Sequence, residues 1–195
     1  PGYDLDVRHV LVIGGAAPAF QGNQNVTWHG WEQELGETIV DRERIDAAAP
    51  AADAAAQLLF TSGTTGEPKA VLHRHSTLSR AAALQAQHLG LHAGDTVFIP
   101  SPLAHQTGFL YGMWLSFVLG VPQILQPVWD PVRALNLLQG WKGSFVQAAT
   151  PFLADLVKAV EAGAPAPESL RIFVNTGAGV PRHLAEQATR VLGAW

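Results

Sequence analysis

Short apolar runs alternate along this chain with longer amphipathic stretches, and this alternation restricts the available folds more than any other feature. Most of the runs end at Gly, Ser or Pro, as buried strands bounded by turns do. They cover residues 7–13, 57–61, 96–99, 122–125, 144–147 and 171–174. The stretches between them predict helices over residues 76–89, 106–119, 131–138, 151–161 and 181–192. Strand–helix–strand alternation with connections of this length predicts a three-layer α/β fold, a mostly parallel sheet with helices on both faces.

Composition and charge exclude several classes of protein. Of the 195 residues, 48% are hydrophobic and 14% are charged, which excludes a disordered chain. The 12 Lys and Arg against 16 Asp and Glu give a net charge of −4, and no basic run is present, so no nucleic-acid partner is expected. No window of about 18 apolar residues predicts a membrane span. With no cysteine and no basic, signal-like start, the expected location is cytoplasmic.

The two ends and one internal segment bear on domain organisation. The chain begins at Pro1 without a methionine and ends at Trp195 within a predicted helix, so we expect it to be part of a longer protein. The Ala-rich segment 46–56 contains Pro50 and is interpreted as a surface helix or linker.

Residues 58–75, LLFTSGTTGEPKAVLHRH, contain the most informative motif. Between Thr61 and Gly66, four hydroxyls and two glycines leave the backbone N–H groups unobstructed, and Lys69 adds a mobile positive charge. Hydroxyls, amides and an ammonium group together can donate to several phosphate oxygens, so a polyphosphate is the expected ligand. On composition alone, a polar surface turn remains the alternative.

The loop differs from the phosphate loop of ordinary nucleotide hydrolases. That loop requires a Gly-Lys pair followed by Ser or Thr, which binds magnesium. Here Lys69 follows Pro68, and Ala70 occupies the position of the hydroxyl. Since Pro68 also prevents a helix from starting there, a phosphate-loop ATPase is the weaker interpretation.

The nine residues Thr61–Lys69, TSGTTGEPK, resemble the phosphate-binding signature of the acyl-adenylate-forming enzymes. This superfamily includes acyl-CoA synthetases, firefly luciferases and the adenylation domains of peptide synthetases. Ala70 stands where the family usually has Gly. The resemblance implies that ATP phosphates are held by Thr61, Ser62, Gly63, Thr64, Thr65, Gly66 and Lys69, and that Lys69 takes part in catalysis.

Further motifs extend the resemblance over residues 53–195, while the first 45 residues match only loosely. Residues 102–108, PLAHQTG, resemble the family motif beside the carboxylate substrate, which implies a catalytic and acyl-pocket role for His105 and places Phe109 in the acyl pocket. Residues 176–181, TGAGVP, resemble the loop that packs on adenine, so Gly177 and Ala178 are the implied contacts. Residues 129–131 and 149–151 also match segments that precede family helices.

The resemblance implies a central piece of the large N-terminal domain of an ATP-dependent carboxylate–CoA ligase, without its C-terminal domain. Such an enzyme converts carboxylate and ATP to acyl-AMP and pyrophosphate, and coenzyme A then displaces AMP. The implied ligands are ATP, Mg²⁺, coenzyme A and a carboxylic acid, specifically a fatty acid, with no metal ligand in this chain.

Two other functions stay open: a peptide-synthetase adenylation domain, and a non-catalytic nucleotide-binding module. For the 195 residues alone we expect no activity. Apolar surface exposed by a cut through the domain predicts self-association, as a homodimer. Locally, Ser76 and Asp130 are the expected helix caps, while His73 and His75 are interpreted as structural because zinc sites need three or four ligands.

Overall fold

The computed structural model describes residues 9–12, 27–30, 41–61, 66 and 68–194. They belong to two units, Pro1–Pro50 and Ala51–Trp195. In the first unit, strands β1 (His9–Val12) and β2 (Thr27–Gly30) pair in parallel. A short helix, α1 (Arg42–Ala47), begins after Asp41, whose carboxylate accepts a hydrogen bond from the Arg44 N–H at 3.1 Å. β1 lies within the strand predicted over residues 7–13, whereas the sequence does not predict β2.

A four-stranded parallel sheet forms the core of the second unit. Its strands have the order β6-β5-β7-β8, so β5 is paired on both sides. Nearly every residue of β5 and β7 is buried, because helices cover both faces of the sheet. The strand bounds are β5 (Val97–Ile99), β6 (Gln123–Leu125), β7 (Phe145–Ala149) and β8 (Ile172–Thr176).

Helices cover the two faces of this sheet in two groups. The first group packs around Leu78, Leu110, Leu115 and Phe145, and comprises α2 (His75–Leu89), α3 (Gln106–Gly108), a π-helix (Phe109–Trp114) and α4 (Leu115–Leu119). The second group packs on the opposite face, and comprises α5 (Pro131–Gly140), α6 (Thr150–Glu161) and α7 (Arg182–Leu192). The predicted three-layer α/β fold is therefore confirmed.

Two of the predicted strands lie outside the four-stranded sheet, β1 in the first unit and one strand in the second. Residues 57–61 lie in β3 (Ala55–Thr61), which pairs antiparallel with β4 (Lys69–Arg74) in a separate two-stranded sheet. The sequence does not predict β4, because most of its side chains are exposed and no buried apolar run marks it.

The start of α2 is capped by backbone carbonyls rather than by a side chain. The helix begins at His75 with no side-chain cap, so the prediction that Ser76 is the cap is wrong. Instead, the N–H groups of His75 and Ser76 donate to the carbonyls of Ala54 and Ala52 at 3.2 and 2.8 Å. Part of the Ala-rich segment thus satisfies the first turn of α2. At α5, Asp130 caps the helix as predicted.

Candidate active site

Three of the sequence motifs meet at the carboxyl edge of the parallel sheet. The loop after β5 carries Pro102–Gly108, β7 runs directly into Thr150, and β8 runs directly into Gly177 and Ala178. Because parallel strands end at one edge, segments up to about 75 positions apart in the sequence lie along it. In open α/β sheets this edge is where ligands bind.

The sheet changes its winding direction at β5. The chain leaves β5 toward the face covered by α2 and the π-helix. It leaves β6 and β7, the two neighbours of β5, toward the opposite face. Loops that diverge in this way open a crevice, so the end of β5 is flanked by one crevice toward β6 and another toward β7.

Buried polar atoms without partners are concentrated at the same edge. Among the described residues, six buried side-chain atoms lack a hydrogen bond, and four of them follow or end the strands of this sheet: Gln106 Oε1, Gln126 Oε1, Thr150 Oγ1 and Asn175 Oδ1. Buried polar groups are normally satisfied, so each exception calls for an explanation. A bound ligand that donates hydrogen bonds at this edge is the explanation that accounts for their common location.

His105 lies at the start of α3 with its side chain exposed. Its Nδ1 accepts a hydrogen bond from the Thr107 N–H at 3.1 Å. In the neutral ring the proton is therefore on Nε2, which is left free to donate to a ligand. The capping interaction fixes the ring at the edge of the sheet, where a substrate oxygen could be held.

Phe109 begins the π-helix that follows α3, and it is half-buried. Its ring stacks on Trp114 with centroids 5.8 Å apart, and the Trp114 indole N–H donates to Ser79 Oγ at 3.2 Å. Turns of π-helix are frequent at functional sites. The predicted acyl-pocket residue thus lies on the α2 side of the sheet, partly engaged in core packing.

The residues predicted to contact adenine lie at the end of β8. Gly177 and Ala178 are exposed immediately beyond β8. Gly177 has φ +83°, a conformation that favours glycine, and no atom lies within 4 Å of the position of an added Cβ. The loop can therefore offer a flat surface to a planar ring.

The predicted phosphate loop lies between β3 and β4 in the sequence. Thr61 ends β3 opposite Lys69, which begins β4, and the Thr61 hydroxyl donates to the Lys69 carbonyl at 3.4 Å. Gly66 has φ +104°. A strand rather than a helix follows Lys69, as expected from Pro68, and Ala70 occupies ordinary strand backbone. Ser62, Gly63, Thr64 and Thr65 lie outside the described residues.

Thr61 and Lys69 are not part of the sheet edge. Within the described part of the chain, neither makes a hydrogen bond to the loops after β5, β7 or β8. The structure therefore brings His105, Thr150 and Gly177 to one edge and places Thr61 and Lys69 in the β3–β4 pair.

Sequence reasoning missed a cavity in the crevice between β5 and β6. Its volume is about 450 Å³, and two of its lining residues are polar and buried: Ser101 at 7% exposure and Gln126 at 6%. The other lining residues are Ile99, Pro100, Pro102, Leu103, Leu125 and Pro127. The signal available in the sequence was a polar residue directly after a buried strand. A second groove, of about 420 Å³, lies beside Thr96 and Trp141, away from the motif residues.

Three further properties concern only the described residues. No group of three His, Asp or Glu side chains comes together there as a set of metal ligands. His75 packs its ring against Trp114 at 5.6 Å between centroids, which fits its structural interpretation. None of the described helices combines the length and hydropathy that a membrane span requires.

Comparison with known proteins decides the family. The sequence matches the family described as AMP-binding enzyme over residues 5–194. This chain belongs to the AMP-binding enzyme family. The resemblance drawn from the phosphate-loop signature is therefore confirmed.

Curated relatives of this AMP-binding chain are CoA ligases. It is 32% identical over 154 residues to the medium-chain fatty-acid–CoA ligase of Escherichia coli (strain K12), covering 78% of this chain and 27% of that protein. It is 30% identical over 138 residues to a 2-succinylbenzoate–CoA ligase of Bacillus velezensis, covering 71% and 28%. The chain thus spans about a quarter of the length of these relatives.

Solved structures of the family share the fold. O-succinylbenzoate coenzyme A synthetase from Bacillus subtilis, in complex with ATP and magnesium ion, matches with a TM-score of 0.68 and 25% identity over 85% of this chain and 34% of that one. The inhibitor-bound N-terminal domain of FACL13 from Mycobacterium tuberculosis matches with a TM-score of 0.64 and 26% identity, covering 85% and 42%.

Proposed function

We propose that the protein containing this AMP-binding chain is an ATP-dependent carboxylate–CoA ligase. A carboxylate oxygen attacks the α-phosphorus of ATP, pyrophosphate leaves, and the thiol of coenzyme A then displaces AMP from the acyl-adenylate. The observation that carries the proposal is the convergence of His105, Thr150 and Gly177 on a sheet edge whose buried acceptors lack partners. The CoA ligases among the relatives support the same reaction class.

The phosphate loop stabilises charge and positions the nucleotide. Thr61, Ser62, Gly63, Thr64, Thr65 and Gly66 hold the β- and γ-phosphates, and Lys69 neutralises the departing pyrophosphate. This contribution is electrostatic and does not require a covalent intermediate. Mg²⁺ arrives with ATP and reduces the charge on its phosphates; we assign no residue of this chain to it.

The sheet edge holds the other reactants. Gly177 and Ala178 pack against adenine, and Thr150 Oγ1 and Asn175 Oδ1 are buried acceptors near the nucleotide side. His105 donates from Nε2 to a carboxylate or adenylate oxygen, because its Nδ1 is already occupied by Thr107. Phe109 contributes one wall of the acyl pocket.

A panel of acids tests the substrate class. We propose a fatty acid, since the medium-chain fatty-acid–CoA ligase is among the relatives, while others carry names of aromatic acids. The full-length protein should exchange labelled pyrophosphate into ATP fastest with medium-chain fatty acids and form their CoA thioesters. Faster exchange with hydroxybenzoates or succinylbenzoate would assign an aromatic acid instead. Exchange with amino acids and no use of coenzyme A would favour a peptide-synthetase adenylation domain.

Lys69→Ala tests the phosphate loop in the same protein. Loss of one preorganised charge at a developing anion should lower the exchange rate roughly 100-fold. Lys158→Ala, a change of an exposed lysine on α6, is the matched control and should leave the rate unchanged. Equal rates for wild type and Lys69→Ala would contradict the proposed role of the loop.

The isolated 195 residues are proposed to lack ligase activity and to be a non-catalytic piece of the enzyme. Calorimetric titration of this chain with Mg·ATP, with Lys69→Ala as control, measures whether its nucleotide site forms alone. A cytoplasmic location stays a prediction from the sequence.

A further inference from the structure

We infer that the hydrogen-bonded pair of Gln85 and Gln147 recognises the far end of the acid, and that the preferred acid carries a hydroxyl group there. The inference rests on the proposed ligase function and narrows its substrate class. It assigns a role to two glutamines that belong to no motif and lie away from the reacting carboxylate.

Gln147 is a polar residue in an apolar layer of the molecule. It is 6% exposed, and it lies two positions after Phe145, which packs in the cluster on the α2 side of the sheet. Side chains alternate along a strand, so Gln147 points to the α2 side as well. There its side-chain oxygen accepts a hydrogen bond from the amide nitrogen of Gln85, on α2.

The pair leaves two hydrogen-bonding groups unused. Two side-chain amides have the donors and acceptors for two mutual hydrogen bonds, but only one is made here. Gln85 Oε1 is buried and accepts no hydrogen bond, and within the described part of the chain the Gln147 nitrogen donates to no acceptor. Buried polar groups without partners cost stability, so a purely structural role explains this pair poorly. A ligand that supplies both a donor and an acceptor explains it.

The cross-strand pairs of β7 and β8 on the α2 side become more buried with distance from the carboxyl edge. From that edge downward they are Ala149 with Thr176, Gln147 with Val174, and Phe145 with Ile172. The first pair is half-buried, and the last is at most 1% exposed. Phe109, the proposed wall of the acyl pocket, packs against the same cluster. An acyl chain that enters at the edge therefore meets the glutamine pair before it meets the closed core.

The depth of the pair indicates the length of the acid. Gln147 comes three residues before Thr150, so at about 3.3 Å per residue it lies about 10 Å below the edge. A saturated carbon chain advances about 1.25 Å per bond, so about eight bonds separate the carboxyl carbon from the group that reaches the pair. An eight-carbon acid with a terminal hydroxyl has this length.

A hydroxyl group matches both unused atoms of the pair. It donates its hydrogen to Gln85 Oε1, and its oxygen accepts from the Gln147 nitrogen. A methyl group in the same place leaves both buried groups without partners. An aliphatic chain and an aromatic ring of similar length can both carry such a hydroxyl, so the experiment includes both kinds of acid.

Two matched pairs of acids test the inference in the full-length protein. Pyrophosphate exchange compares 8-hydroxyoctanoate with nonanoate, and 4-hydroxycinnamate with 4-methylcinnamate, so that a methyl group replaces the hydroxyl in each pair. We expect kcat/KM to be about tenfold higher for the hydroxylated acid in the pair that the enzyme uses. The pair that shows this preference identifies the carrier of the hydroxyl as aliphatic or aromatic.

The double variant Gln85→Leu/Gln147→Leu should reverse the preference. Replacing both partners of a buried hydrogen bond by apolar groups of similar size is nearly neutral for stability, so this variant should fold. Its kcat/KM should rise for the methyl acid and fall for the hydroxylated one, while the KM values for ATP and coenzyme A stay within twofold of wild type. A pair with only a structural role would not change this ratio.

Gln87→Leu, the same substitution at an exposed position of α2, is the matched control and should retain the wild-type preference. Gln85→Leu alone changes the half-buried member of the pair and keeps the test valid if the double variant does not fold.

Failure of this inference is distinguishable from failure of the proposed function. Wild-type protein that exchanges pyrophosphate with no carboxylic acid and forms no thioester would refute the ligase proposal and this inference with it. An active wild type that uses the methyl acids as well as the hydroxylated ones would overturn the inference alone. A double variant with the same preference as the wild type would overturn it too.

Discussion

Asp95 is a buried carboxylate at the amino edge of the sheet, opposite the candidate site, and it is 2% exposed. It accepts hydrogen bonds from Ser144 Oγ at 2.6 Å, from Arg171 Nη2 at 2.8 Å and from the His92 N–H at 2.9 Å. Since Ser144 directly precedes β7 and Arg171 directly precedes β8, this carboxylate joins the starts of three strands. Its function is to hold the sheet in register.

Burial and hydrogen bonding act on the pKa of Asp95 in opposite directions. Burial is the largest single influence and would raise the pKa. The hydrogen bonds from Ser144, Arg171 and His92, together with the charge of Arg171, outweigh it and hold the pKa below its ordinary value. The ionised form therefore stabilises the folded chain.

Replacing Asp95 by Asn should destabilise the fold strongly. The variant leaves the Arg171 guanidinium and Ser144 without their charged partner. Because the Arg171 side chain is 41% exposed, water offsets part of the loss, and the free energy of unfolding should fall by about 2 kcal/mol, between the effects of exposed and buried pairs. Urea denaturation followed by circular dichroism measures this loss of unfolding free energy. Arg182→Ala is the control, because its pair with Glu186 is exposed and contributes below about 0.5 kcal/mol. Equal losses of unfolding free energy in Asp95→Asn and Arg182→Ala would contradict the role assigned to Asp95.

The depressed pKa of Asp95 also predicts how stability depends on pH. A carboxyl group whose folded pKa lies below its unfolded value of about 3.9 contributes stability above pH 4, and this contribution is lost as the pH falls through the folded pKa. The wild-type melting temperature should therefore drop below pH 4. Asp95→Asn should show a smaller drop over the same range, since its residue 95 cannot titrate. If the melting temperatures of wild type and Asp95→Asn fell in parallel as the pH is lowered, the link between Asp95 ionisation and stability would be refuted.

Gly108 fixes the loop that presents His105. A Cβ added at this buried position would lie 2.4 Å from the Pro102 carbonyl oxygen and 2.5 Å from that of Ser101. Backbone atoms cannot turn aside as a flexible side chain can, so the loop after β5 must move as a whole. The close approach explains why a glycine stands where α3 meets the sheet edge.

Gly108→Ala should therefore reduce both the stability of the chain and the rate of adenylation. Overpacking at a buried site costs roughly 1–3 kcal/mol, and displacement of His105 should slow adenylation in the full-length protein. Gly140→Ala is the control, because nothing lies within 4 Å of its added Cβ at the end of α5, and it should be neutral or slightly stabilising. Thermal melts and pyrophosphate exchange measure the two effects. A melting temperature for Gly108→Ala equal to that of the wild type would contradict the expected overpacking.

The elements that the sequence predicts best are those buried on both faces. β5 is a continuous buried apolar run, and β7 and β8 each begin with buried apolar residues, so burial marks them. β4 is predicted by neither pattern nor burial, because its stability comes from pairing with β3. The π-helix is not predicted either, because the apolar stretch 106–119 shows helical periodicity whether its backbone hydrogen bonds follow the α-helical or the π-helical pattern.

The same distinction between local pattern and folded structure applies to the candidate site. His105, Gly177 and Lys69 stand in short motifs that resemble those of the family, so the sequence alone is enough to propose them. Gln126 and Ser101 belong to different strand ends and line one cavity only after the sheet forms. Their burial depends on strand order, which local patterns do not encode.

The hairpin of β3 and β4 leaves a large apolar surface on the second unit. Leu58, Phe60 and Leu72 lie on one face and are 55%, 65% and 59% exposed, and Leu58 pairs directly with Leu72 across the strands. Two-stranded hairpins are marginally stable by themselves. A contiguous apolar face of this kind is a favoured site of association.

We therefore expect the 195-residue chain to self-associate through this hairpin face. Burial of three large side chains in a second copy removes apolar area from water at about 25 cal/mol per Å². The weight-average sedimentation coefficient should rise with concentration, and the double variant Phe60→Thr/Leu72→Thr should remain monomeric because threonine keeps strand propensity without the apolar area. Leu84→Gln removes an equally exposed leucine, at 54%, from α2 and should still associate. A wild-type chain that sediments as a monomer at every concentration would exclude this surface as an interface between copies, and the homodimer prediction would fail with it.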